Sequence, residues 1–440
     1  MSEEKKNERF ESSRALKIFS GLPLYQNENA TVSKPYNCGG GLADDKESFT
    51  SEDSYLYVIS NTDREEYEYF CQRLLSEGFE VADETSLDDN IYRTFVKDGK
   101  CYYIYHERGN RVTRVIENNV GALPKTVSYA YEKNPEDKTV LYQYSLNYTN
   151  ASVPYAEEGS MDCGMLYILR LADGAVFLVD AGHKNQSTAS SRRAIYELLR
   201  EISGCKAGER VRIAGWLFTH AHGDHTELAD DFMREYHDKI KVERWLFNFP
   251  SYSVMPSGYE GSVHNTKATM RKYFSDAEYV KLHTGQKIRL ADVSLEVLYT
   301  FEDAVSPNGE SLIRDFNASS TVVRLTIDGK GIVLLADISG VSENIIMSNY
   351  SESFLKSDAV QMSHHSFNSL KRLYSAIGAE TVLVPQSYNN AYAHTTEMGE
   401  VMLYAKSGIY CADAYTYGFE IVDGCLVMTE RLERYDATTE

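Results

Sequence analysis

The sequence lacks the features that mark a membrane protein or a disulfide-stabilised secreted domain. No stretch of the chain approaches the roughly 18 consecutive apolar residues of a membrane-spanning helix. The charged start, from Met1 to Lys6, is followed by no apolar segment of the kind that a signal peptide carries. The seven cysteines are odd in number, scattered and without a Cys-x-x-Cys pair, which indicates free thiols in a reducing compartment. We therefore expect a soluble, cytoplasmic protein.

Positive charge is also in short supply. The 440 residues include 45 lysines and arginines against 65 aspartates and glutamates, which gives a formal net charge of −20. A protein that holds duplex nucleic acid broadly needs a basic surface to neutralise the phosphates. The composition therefore argues against strong duplex binding and leaves a small molecule or an oligonucleotide as the expected substrate. It does not indicate an oligomeric state.

Histidine is scarce as well, but three of the 11 histidines fall within six residues. The apolar run from Ile213 to Phe218 leads into His220-Ala-His222-Gly-Asp224-His225. The first two histidines point the same way from an extended strand end, and the glycine after them lets the chain turn back on itself. Neutral imidazoles and a carboxylate are the usual ligands of zinc and its neighbours. We therefore predict that His220, His222, Asp224 and His225 bind metal.

The spacing His220-x-His222-x-Asp224-His225 after an apolar strand resembles the metal-binding loop of the metallo-β-lactamase superfamily. This resemblance implies an αββα sandwich with one or two metal ions at the sheet edges. The chain pattern itself favours a mixed α/β (α+β) class, because strands alternate with helices from Met165 onward, as in two sheets covered by helices.

Changes in pattern divide the chain into four parts. We interpret residues 1–50 as a polar tail or loop, 51–120 as a small α+β domain, 121–160 as a connector, and 161–435 as the metallo-β-lactamase-fold domain. In the small domain, short β-like runs surround a helix that begins with a capping box formed by Asp63 and Glu66.

Two later strand ends carry further candidate metal ligands. Asp337 closes the apolar run that starts at Gly331, where a carboxylate is costly unless it is paired or metal-bound. By resemblance it is the acid that bridges two metal ions, and a turn-capping aspartate is the alternative. His364 closes another apolar strand and matches the superfamily's late histidine ligand. We prefer it to the adjacent His365, which we expect either to support a metal ligand through a hydrogen bond or to face the substrate.

Three further stretches sharpen the resemblance. They are Asn317-Ala-Ser-Ser-Thr321, Ser363-His-His-Ser366 and Ser387-Tyr-Asn-Asn-Ala-Tyr-Ala-His394. They are similar to the Asn-x-x-Ser, His-His-Gly-Ser and Asn-x-x-Gly-His-Pro elements in the metallo-β-lactamase domain of competence-type DNA-uptake (ComEC-like) proteins. Ser366 stands where those proteins have glycine, and their membrane channel has no counterpart, so we do not transfer a role in DNA uptake.

The resemblance also assigns supporting roles. Asp180 matches an early strand-end aspartate that orients a metal-binding histidine through its second nitrogen. Asn317, His365 and Asn390 are expected behind the ligands or against the substrate. His394 is a candidate to bind a phosphate oxygen or to protonate the leaving group. A histidine beside a helix N-terminus is the equal alternative for that position.

One ligand of the superfamily has no obvious counterpart. Many members supply another histidine near the place where Glu302 and Asp303 stand, so either carboxylate is a candidate oxygen ligand. Otherwise the first ion is held by the two loop histidines alone. His264 and His283 come too early in the chain to fit well. We expect two divalent ions, with Zn²⁺ preferred and Mn²⁺ or Fe as alternatives where oxygen ligands dominate.

These residues together predict a metal-dependent hydrolase. A water held between two ions has its pKa lowered from about 15.7 toward about 7, and Asp224 is placed to accept its proton. The competence-like motifs favour a phosphodiesterase that acts on a nucleotide or a nucleic-acid fragment. Hydrolysis of an ester, lactone or thioester is one alternative, and a non-catalytic metal- or ligand-binding sensor is the other.

Overall fold

The computed structural model describes residues 14–43, 54–118, 121–134, 136–146, 164–252, 254, 261–413 and 415–433. The helices among them span Arg64–Ser76, Pro124–Val127, Ala189–Ile202, Gly223–Tyr236, Gly261–Tyr273, Gly340–Asn349, Glu352–Leu355, Lys371–Ile377, Tyr388–Ala393 and Thr395–Met402. Within the described ranges, no helix has the length and apolar character needed to cross a bilayer.

The N-terminal unit is built on a seven-stranded antiparallel sheet. Its strands lie in the order Thr31–Val32, Tyr55–Ser60, Val112–Asn118, Lys100–Glu107, Asn90–Lys97 and Glu80–Leu87, with Tyr36–Asn37 also paired to Tyr55–Ser60. The helix Arg64–Ser76 covers one face, where Tyr67, Phe70 and Leu74 pack on the sheet. The predicted capping box is present, because Asp63 and Glu66 each accept a hydrogen bond from the other's backbone amide.

The opposite face of this sheet is buried against the rest of the chain. Leu56, Val58 and Tyr103 share one apolar core with Leu298 and Phe301. A two-stranded pair, Ala15–Leu16 with Tyr25–Gln26, contributes to the core on the helix side. The N-terminal unit is therefore packed onto the larger domain by a continuous core.

The larger domain contains two mixed sheets. The first has nine strands in the order Glu278–Lys281, Arg244–Phe247, Val211–Leu217, Val176–Val179, Tyr167–Arg170, Val140–Gln143, Tyr415–Val422 and Cys425–Glu433, with Ile240–Val242 also paired to Val211–Leu217. The second has eight strands in the order Tyr129–Ala130, Lys287–Ala291, Val293–Tyr299, Val322–Ile327, Lys330–Leu334, Ala359–Gln361, Thr381–Val384 and Gly408–Cys411.

The two sheets pack face to face between two layers of helices. Leu169 and Phe177 of the first sheet meet Leu295 and Leu325 of the second in one buried core. On the outer face of the first sheet lie the helices Ala189–Ile202, Gly223–Tyr236 and Gly261–Tyr273. On the outer face of the second lie Gly340–Asn349, Lys371–Ile377 and Thr395–Met402. This is the αββα sandwich that the resemblance implied.

The division of the chain differs from the prediction in two places. The described part of the predicted tail supplies four short strands, and Gly40 is buried against Phe249, which follows the first sheet's strand Arg244–Phe247. A Cβ at Gly40 would lie 1.9 Å from the carbonyl oxygen of Phe249, so only glycine allows this approach. The predicted connector is also part of the sandwich, since Val140–Gln143 lies inside the first sheet between two distant strands. Residues 147–163 lie outside the described ranges.

Candidate metal centre

The predicted ligands are delivered by strand ends of both sheets. Asp180 follows Val176–Val179, and the loop from His220 to His225 follows Val211–Leu217. Asp337 follows Lys330–Leu334 of the second sheet, and His364 and His365 follow Ala359–Gln361. Because these strands end at the same edge of the sandwich, residues that are far apart in sequence meet there. We call His220, His222, Asp224, His225, Asp337, His364 and His365 the ligand cluster.

The histidines of the loop face one another. The Nε2 atom of His220 lies 3.1 Å from Nδ1 of His222, and the ring centroids of His220 and His225 are 4.2 Å apart. His222 directly precedes the helix Gly223–Tyr236, so Asp224 and His225 occupy its first turn. The predicted strand–turn–helix geometry is therefore present.

Asp180 accepts a hydrogen bond from one ring nitrogen of His225 and thereby orients the imidazole. The Nδ1–H of His225 donates to Oδ2 of Asp180 over 2.6 Å, which leaves Nε2 directed at the cluster. Thr219 completes the arrangement, with its backbone amide 2.8 Å from Oδ1 and its hydroxyl 2.7 Å from Oδ2 of Asp180. Asp180 thus has the orienting position that the resemblance implied. Thr219 was not predicted, although a polar residue between Phe218 and His220 was the available signal.

Asp337 lies at the centre of the cluster. Its Oδ2 atom is 3.3 Å from Nε2 of His225, 3.6 Å from Nε2 of His365, and 3.9 Å from Nε2 of both His220 and His364. A carboxylate surrounded by four imidazole nitrogens from two sheets is a candidate metal ligand. The alternative of a turn-capping aspartate does not account for these neighbours.

The structure revises the preference for His364 over His365. His365 is buried, and its Nε2 atom is 3.1 Å from Oδ2 of Asp224, whereas His364 is 31% exposed. The Nδ1–H of His365 donates to the carbonyl oxygen of Pro385 over 3.0 Å, which leaves Nε2 available as a ligand atom. The reason for the difference is the backbone. Both histidines adopt left-handed conformations, with φ of 49° and 50°, so the alternation expected of a strand end does not apply.

Burial and mutual contact shift the titration of the cluster. Burial lowers the pKa of His220 well below its usual value, and the neighbouring His225 adds to the effect. Burial also acts to lower the pKa of His225, but Asp337, Asp224 and Asp180 outweigh it and raise that pKa well above normal. For Asp337 burial acts upward, yet His225 and His365 hold the pKa well below its usual range. The carboxylates of Asp180, Asp224 and Asp337 therefore favour a positively charged group in the ligand cluster.

The donor set fits a divalent metal ion. Four ligand atoms, one each from Asp224, His225, Asp337 and His365, lie within 4.8 Å of one another. The Nε2 atom of His225 and both carboxylate oxygens of Asp337 are buried and meet no hydrogen-bond partner among the described residues. Buried polar atoms without partners are costly, and metal coordination would satisfy them.

The remaining candidates lie around this cluster. The Nδ2 atom of Asn317 is 3.4 Å from Nε2 of His364. His394 packs edge-on against Phe367, with ring centroids 4.4 Å apart, and Phe367 in turn contacts His364. His394 directly precedes the helix Thr395–Met402 but makes no side-chain capping hydrogen bond. Asn390 is buried in the short helix before it.

Glu302 and Asp303 are engaged elsewhere. Oε2 of Glu302 is 2.6 Å from Nδ1 of His283, and the carboxylate of Asp303 accepts hydrogen bonds from the hydroxyls of Tyr105 and Thr284. The guanidinium of Arg114 donates to the backbone carbonyls of both residues and to the carboxylate of Glu107. We call Glu107, Arg114, His283, Glu302 and Asp303 the interface cluster, since it joins the N-terminal unit to the larger domain. Neither acidic candidate is a member of the four-residue group around Asp337.

Comparison with known proteins gives structural similarity only. No protein-family model matches the chain, and no curated protein matches it. The metallo-β-lactamase fold protein YhfI from Bacillus subtilis is similar over 64% of this chain and 99% of its own length, with 14% identity and a TM-score of 0.39. Tm1679, a metal-dependent hydrolase of the β-lactamase superfamily, is similar over 65% of this chain and 100% of its own length, with 12% identity and a TM-score of 0.35.

Human tRNase Z, short form, is similar over 56% of this chain and 92% of its own length, with 12% identity and a TM-score of 0.28. These TM-scores are all below 0.5, so the assignment of the fold depends on the sheet order and site geometry of this chain itself.

Proposed function

We propose that this protein is a metal-dependent hydrolase, and specifically a phosphodiesterase that acts on a nucleotide or a nucleic-acid fragment. The observation that carries the proposal is the group formed by Asp224, His225, Asp337 and His365, whose ligand atoms lie within 4.8 Å of one another at the edge of the sandwich. The unpartnered atoms of His225 and Asp337 in that group are the ones that a metal would bind.

The cluster divides into two sets of ligands around one shared carboxylate. Asp224, His225 and His365 would hold one ion, and His220 and His222 would hold the other, with Asp337 between them. Because nitrogen ligands dominate, Zn²⁺ is favoured over Mn²⁺ or Fe. Divalent ions bound there supply a water of lowered pKa and neutralise the negative charge that develops on the substrate.

The chain's own residues position this chemistry. Asp180 and the carbonyl oxygen of Pro385 fix the ring orientations of His225 and His365. Asp224, whose Oδ2 atom lies 3.1 Å from His365 and 3.7 Å from His225, is placed to take up the proton of the attacking water. Phe367 contacts the rings of both His394 and His364, so His394 lies near the ligand cluster and is our candidate for protonating the leaving group.

Sequence similarity supports the choice of a phosphodiester. The stretches around Asn317, His364 and His394 resemble the competence-type branch of the superfamily, and the structure brings the first two within 3.4 Å of each other. The net charge of −20 favours a small or single-stranded substrate over long duplex DNA.

A paired assay tests the proposal. Protein purified without chelator should hydrolyse bis(p-nitrophenyl) phosphate faster than p-nitrophenyl acetate, and removal of metal should abolish the reaction. The variant His222→Ala should lose turnover while its circular dichroism spectrum stays unchanged. A preference for the acetate ester would support an esterase instead. Protein that contains no metal and cleaves neither compound would support a binding role and refute the hydrolase.

A further inference from the structure

The two ions of the proposed centre differ in how many residues they have to themselves. One has the four-residue group around Asp337, whose ligand atoms lie within 4.8 Å of one another. The other, which we call the first ion, has His220 and His222. It reaches the number of about three protein ligands that catalytic zinc sites usually contain only by sharing Asp337. A further donor atom beside the two histidines would complete its ligands.

The loop of residues 316–321 lies against the metal-binding loop. The ring of Phe316 is 6.1 Å from the ring of His222, measured between centroids. The backbone amide of Thr321 donates to the carbonyl oxygen of Thr219 over 2.9 Å, directly before the first loop histidine. Contacts at both of its ends therefore hold this loop beside the residues of the first ion.

Asn317 brings its carboxamide to the ligand cluster. Its Nδ2 atom lies 3.4 Å from Nε2 of His364, and the same nitrogen of His364 lies 3.9 Å from Oδ2 of Asp337. The backbone amide of Asp337 also donates to the hydroxyl of Ser320 over 3.2 Å, in the same loop. The carboxamide is therefore close to the carboxylate that the two ions would share.

The amide oxygen of Asn317 is buried and has no hydrogen-bond partner among the described residues. A buried carbonyl oxygen without a partner is costly, and a metal ion would satisfy it. A half-turn about the last side-chain bond exchanges the positions of oxygen and nitrogen. The oxygen can therefore take the place beside His364 without movement of the backbone.

We propose that the amide oxygen of Asn317 is a ligand of the first ion, beside His220 and His222. The inference rests on the metal centre of the proposed function and adds a ligand to it. A carbonyl oxygen is a neutral donor that suits Mn²⁺, whereas imidazole suits Zn²⁺. The first ion should therefore bind more weakly than the other ion and discriminate less between Zn²⁺ and Mn²⁺.

Two substitutions separate the oxygen from the rest of the amide. Asn317→Ala removes the oxygen, whereas Asn317→Asp keeps an oxygen and loses the N–H donor. The full-length protein, stripped of metal, would be titrated calorimetrically with Zn²⁺ and with Mn²⁺. Asn317→Ala should weaken binding of the lower-affinity ion by about 10-fold or more, since even groups that only support a ligand contribute about that much. Asn317→Asp should bind that ion at least as tightly as the wild type, and the higher-affinity ion should be unaffected in both variants.

Asn368→Ala is the matched control, because it removes an asparagine near the same cluster whose Nδ2 atom donates to the backbone carbonyl of Ile338 over 2.9 Å. Both metal affinities should stay at the wild-type level in this variant. Wild-type affinities in Asn317→Ala would overturn the inference. An equal loss in Asn317→Asp would also overturn it, because the amide N–H would then be the group that matters.

The titrations keep this inference separate from the proposed function. A wild-type protein that binds no second ion would overturn the role of Asn317. If the wild type binds two ions and hydrolyses neither ester, the proposed function fails by itself. The comparison of the two Asn317 variants then still decides whether the amide oxygen is a ligand.

Discussion

The ligand cluster and the interface cluster are both largely buried and rich in charge, but the two clusters differ in how completely their charged groups are hydrogen-bonded. In the interface cluster each charged group has a partner, with Arg114 2.5 Å from Glu107 and His283 2.6 Å from Glu302. In the ligand cluster both carboxylate oxygens of Asp337 remain without a hydrogen-bond partner among the described residues. In the interface cluster one oxygen of Glu302 is also unpartnered among the described residues, but its other oxygen is 2.6 Å from His283. The difference is in the grouping, because in the ligand cluster two carboxylate oxygens and an imidazole nitrogen without partners meet in one set of metal-binding donor atoms.

The largest expected effect is the loss of metal content and hydrolysis in Asp337→Asn. The substitution removes the shared carboxylate, so metal content should fall and hydrolysis should drop by about 10³-fold or more, since bound metal supplies several kcal/mol of transition-state stabilisation. Elemental analysis and ester hydrolysis would measure the two quantities.

Glu302→Gln is the control for that experiment. It alters a buried carboxylate of the interface cluster, so metal content and turnover should stay at the wild-type level. A loss of metal from this variant would return Glu302 to the list of ligands and contradict the division into two clusters.

The next effect is expected in the interface cluster, from Arg114→Met. Glu107 would be left buried and unpaired, and three backbone carbonyls would lose a donor. Breaking a buried pair in this way costs about 3–5 kcal/mol, which urea denaturation would report. The exposed pair of Arg108 with Asp89 offers a comparison, and Arg108→Met should change stability by less than about 1 kcal/mol. Equal effects of the two substitutions would show that the interface cluster does not hold the units together.

Asp180→Asn should have a smaller effect on the ligand cluster. The amide keeps the shape of the side chain but no longer stabilises the imidazole of His225 as a ligand. Loss of such a supporting group typically reduces metal affinity or activity about 10- to 100-fold. Competition with a metal indicator would measure the affinity, and an unchanged value would show that Asp180 serves the fold only.

The smallest effect is a pH dependence in the interface cluster. Burial, with the nearby Glu107, raises the pKa of Asp303 to about 7, above its value in the unfolded chain. A raised pKa means that the folded state binds the proton more tightly, so this contribution is complete in acid and is lost as pH rises through about 7. Between pH 6 and 8 the free energy of unfolding should fall by about 1 kcal/mol more in the wild type than in Asp303→Asn. Parallel profiles would contradict the assignment.

The sequence predicted the parts of the site that depend on local pattern. The run from His220 to His225 follows an apolar strand and opens a helix, and both features are visible within fifteen residues. Asp337 was predicted as a ligand because a carboxylate at the end of an apolar strand is costly unless it is paired or metal-bound, and the structure places it among the histidines of the ligand cluster. The capping box of Asp63 and Glu66 is likewise a local pattern, and the structure contains it.

The parts that were missed depend on contacts between distant segments. Val140–Gln143 is a central strand only because Tyr167–Arg170 and Tyr415–Val422 flank it, and the second of these is more than 270 residues away. The choice between His364 and His365 depends on the left-handed backbone conformation of both residues, which a periodic sequence pattern does not predict. Gly40 is buried because Phe249 lies against it, which a polar, glycine-rich stretch does not reveal on its own.

The central claim is that the ligand cluster holds metal while the buried interface cluster does not. Elemental analysis of protein purified without chelator tests this most directly. We expect about two divalent ions per chain in the wild type and in Glu302→Gln, and a clear loss in Asp337→Asn. A wild-type protein without metal, which also fails to take up added Zn²⁺ or Mn²⁺, would contradict the account.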